Sequence, residues 1–309
     1  MSELAVAPID PTLYFTYKNS KLHLADSLDW IAAQPDKSIQ AVVTDPPYGL
    51  VEYTPLELAK LRAGRGGTWR IPPSFDGNMR SPLPRFTTLT SADLEQLETF
   101  FTKFGRVLLP KLVPGAHVVV AANPLVSHLV SYSLSKAGLE RRGEIVRLVT
   151  TMRGGDRPKN AHEEFPDLSV MPRSMWEPWL LFRRPMVGTV AANLRQWGTG
   201  ALRRISDDQP FGDVIRSAPT RPAERALANH PSLKPQAFLR QIVRAVLPME
   251  KGVILDPFAG SGSTLAAAAA LNLSAVGVEL DPTYAELAKN AIPRLARMKV
   301  APSMRVVSN

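Results

Sequence analysis

Four consecutive residues, Asp45, Pro46, Pro47 and Tyr48, bring together a carboxylate, a backbone carbonyl held by proline-fixed angles and an aromatic ring. Such a set suits a flat, poorly nucleophilic amine whose lone pair delocalises into an adjoining ring. The Asp45 carboxylate and the Pro46 carbonyl can draw the amine protons away from the ring plane, while Tyr48 stacks on the ring. A pair of prolines after an acid also occurs in ordinary turns, and that is the plainer alternative.

A second set lies far along the chain. Residues 252–264 read GVILDPFAGSGST: a strand ending at Asp256, a turn through Phe258, Gly260, Ser261 and Gly262, and a helix opening at Ser263 and Thr264. Glycines permit a tight turn and close backbone approach to a ligand, and the helix-opening amides face that ligand. The next strand ends at Glu279, 23 positions after Asp256, where a carboxylate can accept both ribose hydroxyls of a nucleoside. A dinucleotide is the rival ligand, but Gly-x-Gly without a third glycine leaves the pyrophosphate fingerprint incomplete.

These turns need a strand-and-helix frame. Residues 39–44 are a short apolar, β-branched run leading into Asp45, and 116–121 reads as another strand. Between them, 91–109 opens on Ser91 with Glu95 near the capping-box position and repeats Leu94, Leu97, Phe101, Phe104 and Leu108 at helical spacing. A helix near 125–137, strands near 144–151 and 175–182, a helix over 235–247, a strand at 252–256, a helix at 263–271 and a strand at 275–279 continue an α/β rhythm. In the apolar stretch, Trp176, Trp179 and Phe182 read as core.

The chain has 309 residues, room for one sizeable α/β core and a small second module. Its 37 Lys and Arg against 28 Asp and Glu give +9, which favours an anionic partner. The absence of cysteine excludes disulfides, thiolate nucleophiles and Cys-based metal sites, and five scattered histidines suggest no metal centre. Residues 1–11 lack the pattern of a signal peptide, and no apolar run reaches membrane-spanning length, so a cytoplasmic protein is expected.

Together these motifs resemble the beta group of DNA amino-methyltransferases, in which the Asp-Pro-Pro-Tyr turn comes first, target recognition follows and the Phe-x-Gly-x-Gly turn comes last. His230-Pro231-Ser232-Leu233-Lys234-Pro235 is similar to that group's His-Pro-Thr-x-Lys-Pro motif, with Ser in place of Thr. Asp26 and Ser27 resemble its short acidic motif, with Ala25 where Gly is commoner. The resemblance covers roughly residues 20–295 and implies an S-adenosyl-L-methionine site. Asp26, Ser27, Asp45, His230, Ser232, Lys234, Asp256, Phe258, Gly260, Ser261, Gly262, Ser263, Thr264, Glu279 and Leu280 would contact that cofactor. It further implies a Rossmann-like, seven-stranded, mainly parallel sheet with one antiparallel strand, helices on both faces and a circularly permuted motif order.

The expected activity is methyl transfer to the N6 amine of a flipped-out adenine in double-stranded DNA, without a metal; Asp before Pro-Pro-Tyr leans to adenine and Ser to cytosine. A cytosine-N4 enzyme is the nearest alternative, followed by an RNA or protein methyltransferase and a non-catalytic DNA-binding module. A homodimer and a cognate restriction endonuclease are further partners that the resemblance allows.

The expected organisation is a catalytic half over 12–182, a target-recognition insertion over 183–228, a cofactor-binding half over 229–298 and a tail over 299–309. Within the first half, a basic loop spans 50–90. Residues 60–90 carry +5, and Arg62, Arg65, Trp69, Arg70 and Arg80 are candidates for a DNA clamp, with Arg85 and Phe75 beside them. A solvated basic loop is the alternative. In the insertion, 183–225 carries +4, and Arg195, Trp197, Arg203 and Arg204 are candidate DNA contacts.

Overall fold

The computed structural model describes residues 12–47, 91–149, 157–158, 160–228 and 233–300. The chain opens with strands β1 (Leu13–Tyr17) and β2 (Ser20–Leu24), an antiparallel hairpin turned at Lys18, whose φ is 50°. Helix α1 (Ser27–Ala33) leads to β3 (Ile39–Thr44), followed by α2 (Ser91–Leu108), β4 (Leu112–Ala121), α3 (Ser127–Lys136) and β5 (Glu140–Leu148). Then come β6 (Trp176–Arg183), α4 (Val190–Trp197), β7 (Val214–Arg216), α5 (Pro222–Leu227) and α6 (Gln236–Val246). The C-terminal elements are β8 (Val253–Asp256), α7 (Ser263–Ala270), β9 (Ser274–Glu279) and α8 (Pro282–Arg297).

The nine strands among the described residues form one sheet in the order β1-β2-β9-β8-β3-β4-β6-β5-β7. The run from β2 to β4 is parallel; β6 is antiparallel to β4 and to β5, and β7 is parallel to β5. This corrects the seven strands and single reversed strand expected. The hairpin partner β1 adds a second reversed strand at one edge, and the three-residue β7 is too short to show a period of two. The segment 183–228, expected as an insertion, is partly built into the sheet through β7.

Side chains alternate across the sheet and make two cores. Ala41 and Val43 of β3, with Val119 and Ile254, pack against Phe238, Ile242 and Val246 of α6 and the alanines of α7. On the other face, Val42, Val118, Val120 and Leu255 pack against Ile31 of α1, Phe101, Phe104 and Leu108 of α2, and Val130 and Leu134 of α3. Each such side chain contributes about 1.5–3 kcal/mol by leaving water. The alanine run 266–269 is fully buried, since α7 is wedged against α6 and α8, where larger residues would not fit.

Candidate active site

In an open α/β sheet, the loops beyond the carboxyl ends of parallel strands form the ligand-binding edge. Four of these ends carry the residues singled out from the sequence: Asp26 after β2, Glu279 closing β9, Asp256 closing β8 and Asp45 after β3. The pairing rungs explain the convergence. Leu24 lies beside Glu279, Asp256 beside Gly277, and Val42 beside Leu255, so the strand ends step across one edge. Strand β3 stops where Pro46 and Pro47 can no longer donate to a neighbour, with Pro46 buried and Pro47 exposed.

Thr44 ties two of these ends together, its hydroxyl donating to Asp256 Oδ1 at 2.8 Å. The Phe258 amide donates to the same oxygen at 3.3 Å. Burial pushes the Asp256 carboxyl up to about 6, against the lowering effect of hydrogen bonds from Thr264, Thr44 and Phe258, and the nearby Asp45 charge adds to the rise. The turn that follows is pinned by Glu279, whose Oε2 accepts from the Gly260 amide at 2.8 Å and whose Oε1 accepts from the Asp281 amide at 2.9 Å. Each carboxylate oxygen has a further lone pair for a ligand hydroxyl.

Phe258 anchors the turn from below, its ring 6.0 Å from Phe100 and 5.7 Å from Phe104. Gly262 has φ 74°, and a Cβ there would stand 2.4 Å from Ile292 Cγ1, so this glycine serves the docking of α8. Ser261 and Ser263 share a hydroxyl contact at 3.2 Å, and the Gln236 side-chain amide donates to the Ser263 carbonyl at 2.9 Å. Asp45, Lys234, Asp256, Phe258, Gly260, Ser261, Ser263 and Thr264 line a single cavity walled by Trp179.

One group of charges beside this cavity was not anticipated. Lys234 Nζ stands 2.7 Å from Asp45 Oδ2 and 3.2 Å from Glu177 Oε1. Glu177 Oε2 in turn accepts from Arg147 at 2.8 Å, and its Oε1 accepts from the Trp179 indole at 3.1 Å. Burial would lower the Lys234 ammonium, but the Asp45 and Glu177 carboxylates outweigh it and hold the group above its ordinary value. Burial would likewise raise Glu177, and Lys234 and Arg147 hold it below the usual carboxylate range. Sequence reasoning missed Glu177 and Arg147; the available signal was one acid in the apolar stretch MWEPWLLF and one base in EIVRL.

Other candidates fall differently. Asp26 caps α1, its Oδ1 accepting from the Leu28 amide at 2.8 Å and the Asp29 amide at 3.1 Å, and the adjacent Ala25 amide donates to the Glu279 carbonyl at 3.0 Å. Ser27 is buried in the first turn of α1, and Leu280 is exposed just past Glu279. Arg195, Trp197, Arg203 and Arg204 are not brought to Asp45. Helix α4 bonds to the start of β4 through Asn193 and the Pro114 carbonyl, Lys37 lies over the Trp197 ring, and Arg203 pairs with Glu250 just before β8. All of these contacts are at the amino ends of the parallel strands, the opposite edge from Asp45. Trp179 and Phe182 are fully buried as expected of core, whereas Trp176, also expected as core, is exposed at the start of β6.

Tyr48, His230, Ser232, Arg62, Arg65, Trp69, Arg70 and Arg80 lie outside the described residues. Among the described residues, no helix is long and apolar enough to cross a membrane.

Residues 152–290 match the N6/N4 methyltransferase family model, described as DNA methylase. Type II methyltransferase M.HindIII of Haemophilus influenzae is 23% identical over 295 residues, 88% of this chain and 94% of that protein. Type II methyltransferase M2.LlaDCHI of Lactococcus lactis subsp. cremoris is 31% identical over 91 residues, which span 29% of this chain and 34% of that protein. Among solved structures, a DNA modification methylase of Thermus thermophilus, complexed with S-adenosyl-L-methionine, aligns with TM-score 0.54 at 20% identity over 89% of this chain and 95% of its own. The cytosine-N4-specific PvuII DNA methyltransferase aligns with TM-score 0.57 at 14% identity over 92% of this chain and 88% of its own. At these identities the two structures speak to the fold.

Proposed function

We propose that this chain, a DNA amino-methyltransferase of the N6/N4 family, transfers a methyl group from S-adenosyl-L-methionine to the N6 amine of an adenine turned out of a DNA duplex. The observation that carries the reading is the sharing of one cavity by Asp45 and the glycine turn, with Lys234 between them at its wall. Strands β8 and β9, far along the chain, are seated between β2 and β3, which fits the permuted motif order of the beta group.

The donor set suits the cofactor. Glu279 offers a carboxylate to ribose hydroxyls, while Lys234, the serine hydroxyls and the opening amides of α7 offer partners to an amino-acid end; His230 and Ser232 are proposed to join them. When bound, S-adenosyl-L-methionine supplies a methyl group on a positively charged sulfur. That methyl group would leave sulfur for the amine nitrogen, and the amine's surplus proton would pass to solvent. Asp45 and the Pro46 carbonyl accept hydrogen bonds from the amine and turn its lone pair out of the ring, and Tyr48 holds the base by stacking. Since a paired amine cannot be aligned in this way, the target leaves the stack.

A cytosine-N4 amine could use the same groups, and the fold likeness to the PvuII enzyme keeps that second reading in view. Labelled methyl transfer to unmethylated DNA, followed by nucleoside analysis, separates the two. The expected result is label in N6-methyladenine, reduced by at least about 100-fold in Asp45→Ala. Label in N4-methylcytosine would promote the second reading, and no label on DNA would overturn both.

A further inference from the structure

We infer that Glu177 is a positioning residue for this reaction, sharing the Lys234 ammonium with Asp45 from the neighbouring part of the sheet, with Arg147 as its own counterion. The inference rests on the function proposed above.

The geometry is specific. Glu177 stands on β6, the strand that runs against its neighbours, so its side chain reaches the carboxyl edge from the start of its strand while Asp45 arrives from the end of β3. Two rigid donors fix the carboxylate. Trp179 packs edge-on against Phe238 at 5.1 Å, and Arg147 lies 5.3 Å over the same ring while bonding the Ser217 hydroxyl at 3.0 Å and the Ala218 carbonyl at 3.1 Å. The third contact, 3.2 Å to Lys234, falls on the one flexible side chain of the group.

Two cations therefore alternate with two carboxylates, from Arg147 through Glu177 and Lys234 to Asp45. By sharing the ammonium, Glu177 prevents an exclusive Lys234–Asp45 pair that would draw Asp45 away from an incoming amine. Glu177 itself exchanges no proton and forms no bond. Among the described residues, the charged groups facing Lys234 are Asp45 after β3, Glu177 on β6 and, more distantly, Arg147 on β5. Without Glu177, the burial of Lys234 and the Arg147 charge are opposed, among the described residues, by Asp45 alone.

The test compares wild type, Glu177→Gln and the charge-balanced double variant Glu177→Gln/Arg147→Met. In both variants kcat is expected to fall by roughly 10- to 100-fold with KM for DNA near wild type, since a small displacement at the reacting centre acts on the chemical step. In Glu177→Gln the high-pH limb of the kcat profile should move down by about one unit or more, because Asp45 is then the one carboxylate among the described residues that faces Lys234. An independent readout is the titration of Lys234 in protein carrying 15N-labelled lysine side chains, assigned with Lys234→Arg, which should fall by a similar amount in Glu177→Gln.

Thermal unfolding identifies a variant that has merely failed to fold. The double variant guards against that outcome, since it leaves no unpaired buried charge. Wild-type kcat in either variant, or an unmoved Lys234 titration in Glu177→Gln, would overturn the inference. A wild type that transfers no methyl group to DNA would instead defeat the proposed function, and the Lys234 titration would still decide whether Glu177 governs that ammonium.

Discussion

A carboxyl group placed like Asp256, sealed under the glycine turn with Asp45 nearby, makes the protein's stability depend on pH in a direction opposite to most acids. Its ionisation moves from 3.8 up to about 6. A raised value means that its stabilising contribution is complete below about pH 4 and is lost as the pH climbs through 6. That rise amounts to on the order of 3 kcal/mol. Asp256→Asn is expected to remove this dependence: the difference in unfolding free energy between variant and wild type, measured by urea denaturation at pH 4 and pH 7, should change by about that amount in the variant's favour at pH 7. A constant difference would mean that Asp256 ionises normally. At this scale the sequence was informative wherever a group belongs to a local motif. Asp45, Lys234, Gly260 and Glu279 each stand at a recognisable offset from a turn. Glu177 and Arg147 do not, because their meaning comes from Lys234, which is on another element far along the chain.

At the scale of elements, the tightest fit is between the glycine turn, α7 and α8. Gly262→Ala would place a side chain at φ 74° and press its Cβ toward Ile292, so a loss of roughly 2–4 kcal/mol is expected from left-handed strain and overpacking together. Urea unfolding would measure it, and a loss below about 1 kcal/mol would show that Ile292 moves aside. Periodicity made α2, α6 and the central strands legible, and β3 matches its expected span 39–44. Helix α8 was not among the expected elements, although Asp281 as cap and Pro282 in the first turn mark its start. Strand β7, three residues long, carried no such mark, because its place is fixed by β5 and not by its own pattern.

Across the whole molecule, the sheet has two unlike rims. Asp45, Asp256, Glu279 and Glu177 gather at one, together with the exposed Arg216 at the end of β7 and Arg221 before α5, while Arg195 and the Arg203–Glu250 pair lie at the other. Three paired substitutions test which rim meets DNA. Arg216→Ala with Arg221→Ala should flatten the salt dependence of DNA binding by about 0.9 in log–log slope for each phosphate no longer neutralised, and Arg65→Ala with Arg70→Ala should do the same if 60–90 is a clamp. Arg195→Ala with Arg204→Ala should leave the slope unchanged, and a flattened slope there would move the DNA face to the opposite rim. Net charge pointed to an anionic partner, but no local pattern could say which arginines share a rim, since that depends on which strand runs backwards.

The seating of β8 and β9 between β2 and β3 also bears on how the chain is made. Thr44 and Asp256, bonded side by side, are 212 positions apart. On the ribosome, β3 would emerge long before the strand that covers its edge, leaving an apolar β-branched template open to pairing with other chains. Synthesis at ordinary speed prolongs that exposure by some tens of seconds, so this architecture favours late, all-at-once closure of the sheet and a need for chaperone protection while the gap stands open.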